Sequence, residues 1–125
     1  MFVAGAWVGA ASGATFTAES PATGAALGEV PQGDREDARR AIDAAARAAG
    51  AWSRTTAFQR AAAMHRVADE VEKRRDELAR TLTLDQGKPL HAEAYDEVDE
   101  LVEYWRNAAE DAKRLEGRLP NSMTP

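Results

Sequence analysis

Apolar and polar positions change their spacing near Gly33, and the change divides the chain. Before it, short apolar runs are separated by turn residues, and Glu19 and Glu29 are the only charged side chains. Phe2-Val3-Ala4 and Trp7-Val8 flank Gly5, which predicts a tight hairpin. Ser12-Gly13 marks a second turn and Thr15–Glu19 a short strand. Ser20-Pro21-Ala22-Thr23-Gly24 places Pro early and Gly late in a further turn. Ala26–Val30 reads as one more strand, stopped by Pro31.

Beyond Gly33 the apolar residues recur at helical spacing. The first predicted helix has Asp34 as N-cap and Glu36 and Asp37 in its first turn, where the helix dipole favours acids. Its apolar face is Ala38, Ala41, Ile42, Ala45, Ala48 and Ala49, with Gly50 as its stop and Trp52 beyond. The second opens on Thr56 and Gln59, the spacing of a capping box. Its seam is Ala61, Met64, Ala68, Val71, Leu78 and Leu82, interrupted by Arg75, and Gly87 and Pro89 end it. The third carries Ala94, Val98, Leu101, Trp105, Ala108, Ala112 and Leu115 at alternating steps of four and three, the period of a helix packed along its length. Gly117 and Pro120 close it. The expected layout is strands and turns over 1–33, three helices over 34–120, and a tail or shortened connection over 121–125.

Composition weakens the core this pattern suggests. The chain has 125 residues, 28 of them Ala. Leu, Ile, Val and Phe together make about 15%, below the roughly 20% at which a chain begins to look unable to bury a core. Ala favours helix but removes little area from water, so these helices form more readily than they hold together. Something outside the chain is expected to complete the core.

Charge and cysteine usage exclude several classes. Without Cys there is no disulfide, no thiolate metal site and no thiol nucleophile. A net charge of −5 argues against nucleic acid or an acidic membrane as partner. Residues 1–18 carry no charge and are broken by Gly5, Gly9 and Gly13, unlike a secretory leader. No apolar stretch approaches the length of a membrane span. A soluble, cytoplasmic protein is expected.

The residues offer little chemistry of their own. There is no G-x-G-x-x-G, and Gly87-Lys88-Pro89 lacks the upstream Gly and the Ser or Thr of a phosphate loop. His65 and His91 are too far apart for a metal pair. His91-Ala92-Glu93 has the H-x-E pattern of zinc deaminases without the Cys ligands those sites need. Glu93, Asp96, Glu97, Asp99, Glu100 and Glu103 read as the solvated face of the third helix. Asp69/Lys73, Glu70/Arg74 and Asp76/Arg80 have i,i+4 spacing and read as surface ion pairs.

The order of the motifs carries more. Phe2-Val3-Ala4-Gly5-Ala6-Trp7-Val8 resembles the F-I-N-G-E-W-V opening of the aldehyde dehydrogenase superfamily, and Ser20–Gly24 its N-P-A-T-G. Gly33-Asp34-Arg35-Glu36-Asp37, leading into an Ala-rich helix ending Ala51-Trp52-Ser53, is similar to the same family. Thr83-Leu84-Asp85-Gln86-Gly87-Lys88-Pro89 matches T-L-D-x-G-K-P, the most specific of the set. Glu110–Gly117 resembles the helix end of succinate-semialdehyde-type members. The likeness covers essentially the whole chain in register. Ala4 and Ser20 stand where the family usually has Asn, and Asn107-Ala108 where many members have aromatic residues.

This resemblance implies the α/β aldehyde dehydrogenase fold, of which this segment alone is α+β: a small β region followed by three helices. It implies an N-terminal part that wraps the coenzyme-binding domain. Family members run to roughly four times this length. Their catalytic Cys, general-base Glu, oxyanion-hole Asn and NAD(P) site lie further on. Their chemistry is thiolate attack on an aldehyde, hydride transfer to NAD or NADP, and hydrolysis to a carboxylate. The implied partners are the rest of the dehydrogenase and its aldehyde substrate. This chain alone is expected to bind no cofactor, to be inactive, and to have a tendency to self-associate. The resemblance also implies a structural monovalent cation held by Asp85 and the backbone carbonyls of Ala18 and Glu19, and a substrate entrance near Glu100 and Tyr104. The alternative is a stand-alone helical interaction module without enzymatic activity.

Overall fold

A computed structural model describes residues 1–117. Strands β1 (Phe2–Val3) and β2 (Ala6–Trp7) form an antiparallel hairpin pairing Phe2 with Trp7 and Val3 with Ala6. Main-chain bonds of 2.8 Å in both directions between Met1 and Val8 close it. The Phe2 and Trp7 rings meet edge to face, 5.3 Å between centroids. The connecting residues Ala4 (φ 53°) and Gly5 (φ 83°) are both left-handed, as a two-residue hairpin turn of the favoured twist requires. Gly5 adopts that conformation freely and Ala4 does not. Asn tolerates it better than Ala because its amide bonds locally. Ala4→Asn is therefore expected to raise stability by about 0.5–1 kcal/mol, read as a higher denaturant midpoint. A lower midpoint would contradict the strain argument.

A second hairpin joins β3 (Thr15–Glu19) to β4 (Ala26–Pro31). The Ser20 carbonyl accepts from Thr23 and Gly24, and this turn gives the chain reversal read from Ser20–Gly24. The register slips between Ala18 and Glu19, which pair with Gly28 and Ala26 and leave Leu27 as the extra residue of a bulge. Across the sheet face, the Thr15 and Thr17 hydroxyls donate to Glu29 at 2.8 and 2.6 Å. Pro31 does not stop the strand before itself. It is the last residue of β4 and pairs with Thr15.

Among the described residues, four α-helices follow where three helices were expected. Helix α1 (Arg35–Ser53) starts on the predicted Asp34 cap, with Asp37 completing a capping box. Gly50 does not end it. The helix runs through Gly50, and the Ser53 and Thr55 hydroxyls take up the Gly50 and Trp52 carbonyls at 3.1 and 2.7 Å. Helix α2 (Ala57–Lys73) opens on the Thr56/Gln59 capping box. Its continuation breaks at Arg74 (φ −102°, ψ 17°), and α3 (Arg75–Gln86) resumes at once. The single helix expected here divides beside Arg75, the cation that interrupts its seam. A guanidinium there needs a carboxylate partner rather than an apolar neighbour. After the break it reaches Asp99 on the last helix, with nitrogen–oxygen distances of 2.5 and 2.6 Å.

Gly87 ends α3 in the left-handed conformation (φ 75°), its N–H donating to the Thr83 carbonyl at 2.9 Å. A side chain there would meet Pro21 at 3.2 Å, so the glycine also lets the second hairpin's turn approach α3. The last helix does not begin as an ordinary one. Leu90–Ala94 form a π-helical turn in which the Pro89 carbonyl accepts from both Glu93 and Ala94. Helix α4 (Tyr95–Ala112) continues from it.

The core sits where α4 crosses α2 and α3. Its buried apolar residues are small: Ala61, Ala68, Ala79, Ala94, Ala109, Val98 and Val102. The face α4 buries differs from the expected seam. Ala94 and Val98 are buried as expected, but Val102 and Ala109 replace Leu101 and Ala108, and Leu115 is 82% exposed. The buried positions Ala94, Val98, Val102 and Ala109 advance by four, four and seven, a longer average step than the strict 3.5-residue repeat of the expected seam. Leu101, Tyr104 and Ala108 are thereby left facing outward. Among the described elements, helix α1 packs appreciably only on β1. Its expected apolar face is largely uncovered, with Ile42 68% exposed. The expected tail at 121–125 and the end of the helical region at Pro120 lie outside the described residues.

Candidate functional site

Two clefts meet at the C-terminal half of α3. One lies between α3 and the second hairpin and is lined by Ala18, Gly28, Thr81 and Asp85 among others. Ala18 and Asp85, expected to share a cation, are thus brought to one surface. Glu19 pairs with Ala26 at the end of β3 and does not line it. Among the described residues, no group of three His, Asp or Glu side chains converges as metal ligands. The cleft's two acids are Asp85 and Glu29, and Glu29 is already taken by the Thr15 and Thr17 hydroxyls, so an ion there would rest on Asp85 and main-chain carbonyls, a donor set suited to a weakly held hard cation.

The other cleft lies between α3 and α4. It is lined by Leu78, Leu82, Asp85, Val98, Glu100 and Tyr104, together with Thr81, Glu97 and Leu101. Glu100 and Tyr104 are one turn apart, with the Tyr104 hydroxyl 3.5 Å from Glu100 Oε2. The expected entrance residues therefore do share a wall, and Asp85 belongs to both clefts. In the sequence the apolar liners Leu78, Leu82 and Leu101 stand out only as seam positions. The signal available was Leu101 and Tyr104, three residues apart on a helix whose acids made that face look simply wet.

Ion pairs fix how α3 and α4 sit around the second cleft. The Asp99 carboxyl is held below its ordinary 3.8 by its hydrogen bond from Arg75. The Arg75 guanidinium also lies 4.4 Å over the Tyr95 ring. The Tyr95 hydroxyl donates to Asp76. Asp76 is lowered by its hydrogen bonds from Arg80 and then Tyr95, and the Tyr95 phenol is raised by the bond to that carboxylate. Lys88 pairs with Glu97 at the start of α4. At the far end, α2 and α4 are joined by His65–Glu110 at 3.1 Å and Arg106–Glu72 at 2.7 Å. Of the three expected i,i+4 pairs only Asp76/Arg80 forms, at 2.8 Å. Lys73 instead takes Glu70, and Arg74, at the helix break, turns forward to Glu77.

No helix among the described residues is long and apolar enough to cross a membrane. Residues 7–124 match the pattern of the aldehyde dehydrogenase family. A glutarate-semialdehyde dehydrogenase of Pseudomonas aeruginosa is 42% identical over 116 residues, which is 93% of this chain and 24% of the relative. A succinate-semialdehyde dehydrogenase of Escherichia coli, named for NADP(+), is 40% identical over 90% of this chain and 23% of its own length. Among solved structures, the succinate-semialdehyde dehydrogenase of Burkholderia pseudomallei superposes with a TM-score of 0.91 at 42% identity, covering 96% of this chain and 25% of that one. A betaine aldehyde dehydrogenase of Staphylococcus aureus, solved with NAD+, superposes with a TM-score of 0.91 at 35% identity over 99% of this chain and 26% of that one. The chain spans about a quarter of the length of the relatives it matches. With the motif order, the hairpin-and-helix layout and this match over nearly all its residues in agreement, the chain belongs to the aldehyde dehydrogenase family.

Proposed function

We propose that this chain serves as the N-terminal part of an NAD(P)-dependent aldehyde dehydrogenase that oxidises an aldehyde to a carboxylate. Its contribution is structural: it packs against the remainder of the enzyme, which carries the reaction. The observation that carries this reading is the combination of family match and bare surface. Trp7 is 83% and Phe58 72% exposed, and among the described residues no large side chain is fully buried. Exposed aromatic side chains on this scale point to a missing partner surface.

The chain's own residues do not fit a dinucleotide. The sequence has no glycine-rich phosphate loop. Among the described residues, the N-termini of α1 and α2 are engaged by their own capping boxes, α3 continues directly from α2, and the uncapped start at Leu90 belongs to a single five-residue turn behind Pro89 rather than behind a glycine-rich loop. With no Cys, the chain supplies no thiolate either. Both functions are assigned to the remainder. The roles left to this chain are a monovalent cation site at Asp85 with the Ala18 and Glu19 carbonyls, and an entrance rim at Glu100 and Tyr104. The first is supported by Ala18 and Asp85 lining one cleft, and the second by Glu100 and Tyr104 lining the other.

A chimera tests this. This chain replaces the matching quarter of the Pseudomonas aeruginosa glutarate-semialdehyde dehydrogenase. The expected result is a soluble enzyme that forms NADH or NADPH from that protein's aldehyde at a rate within about tenfold of the parent, a barrier change near 1.4 kcal/mol. In the same chimera, Asp85→Ala is expected to abolish any dependence of the melting midpoint on monovalent cation. A folded chimera without activity would count against the reading.

A further inference from the structure

A third cleft lies at the break between α2 and α3, with a volume of about 800 Å³. Ala63, Arg66, Val67, Glu70 and Val71 line it from one face of α2, and Leu78 joins them from α3. The helix reaches α4 through other residues, His65 and Glu72. The charges around the cleft differ in what already holds them. Glu70 accepts from Lys73 at 2.7 Å, Arg74 pairs forward with Glu77 at 2.6 Å, and Asp69 lies 3.8 Å from Arg106. Glu70 is the carboxylate one turn on from Arg66, and Lys73 has taken it. Among the described residues, Arg66 makes no hydrogen bond or ion pair. One uncompensated guanidinium therefore stands beside an apolar strip, on which Val67 is 39% exposed.

We propose that this cleft binds straight-chain alkyl carboxylates, with the carboxylate on Arg66 and the chain along Val67, Val71 and Leu78. The guanidinium presents parallel N–H donors in the geometry of a carboxylate. The apolar strip gains from every methylene it removes from water. Charge then selects the head group. An alkylammonium covers the same strip but is repelled by Arg66, and an alcohol gains little from a cation. The site shares Leu78 with the cleft between α3 and α4 but contains neither Asp85 nor Glu100 nor Tyr104. It needs no residue outside this chain and is independent of whether the whole protein oxidises aldehydes.

The test is a titration of the full chain with octanoate, octylammonium and 1-octanol at matched ionic strength, followed by methyl NMR. Octanoate is expected to shift the Ala63, Val67 and Val71 resonances and to bind there about tenfold more tightly than octylammonium. Arg66→Gln should weaken octanoate about fivefold, the range of one exposed charge contact, and leave 1-octanol unchanged. Arg66→Lys keeps the charge and should recover part of that loss. Val67→Ser should weaken all three ligands alike, which separates the apolar strip from the charge. Both side chains are exposed, and the comparison among ligands needs no variant. Equal binding of octanoate and octylammonium, shifts centred on Leu101 and Tyr104, or undiminished octanoate binding by Arg66→Gln would each overturn the proposal.

Discussion

Ala68→Leu is expected to cost about 3 kcal/mol or more, at the upper end of what overpacking a core does, and so to remove most of the helical signal at moderate temperature. Ala68 is completely buried in α2, the helix that packs most extensively on α4. On α4, Ala109 is also completely buried. Alanine on both helices means that they approach closely, and little room remains for three added carbons. Among the described residues the buried apolar side chains are all Ala or Val, which have few alternative rotamers to yield with. Ala62→Leu, on the exposed side of the same helix, is the matched control and should stay within about 0.5 kcal/mol of the parent. The measurement is a denaturant titration followed by circular dichroism. A midpoint for Ala68→Leu equal to that of the control would mean that the α2–α4 contact is loose.

Asp37→Ala is expected to be the second largest change, about 2–3 kcal/mol, and to act locally. Asp37 is among the few buried polar residues, at 5% exposure. Its two carboxylate oxygens accept from the Ala11 N–H at 3.0 and 3.2 Å, and one accepts from the Asp34 N–H at 3.2 Å. Arg40 lies 3.4 Å away. A single carboxylate thus completes the capping box of α1 and holds the loop that follows the first hairpin. Its removal strands the Ala11 and Asp34 N–H groups, while the Asp34 side chain still caps the helix. Hydrogen exchange should accelerate at Ala11 and through α1, yet leave α4 unchanged, because among the described elements α1 packs appreciably only on β1. Asp37→Asn keeps an acceptor and should recover part of the loss. Uniform acceleration across the chain would instead show that the first hairpin and α1 belong to one cooperative unit with α2–α4.

These two residues also mark what sequence could reveal. Asp37 was visible as an acid in a first helical turn, and the Asp34 and Thr56 caps were visible with it, because capping is a local matter of spacing. The bond from Ala11 spans 26 residues, and no local pattern announces it. The hairpin at Ala4-Gly5 and the end of α3 at Gly87 were legible for the same local reason. The break at Arg74 and the rotated face of α4 were not. The first accompanies the pairing of Arg75 with Asp99 on another helix, and the second puts Val102 and Ala109 rather than Leu101 and Ala108 in the core. Both are properties of packed pairs rather than of single segments. The clefts were half legible: motif resemblance named Asp85, Ala18, Glu100 and Tyr104, while Leu101 became a cleft residue only because the helix buries a different face.

A thermal melt of the 125-residue chain, run with sedimentation over a hundredfold range of concentration, tests the central claim most directly. If the exposed Trp7, Ile42 and Phe58 belong to a surface that the rest of a dehydrogenase covers, the chain should melt broadly or self-associate, with a midpoint that rises with concentration. A monomer that melts sharply at one temperature across the whole range would contradict it.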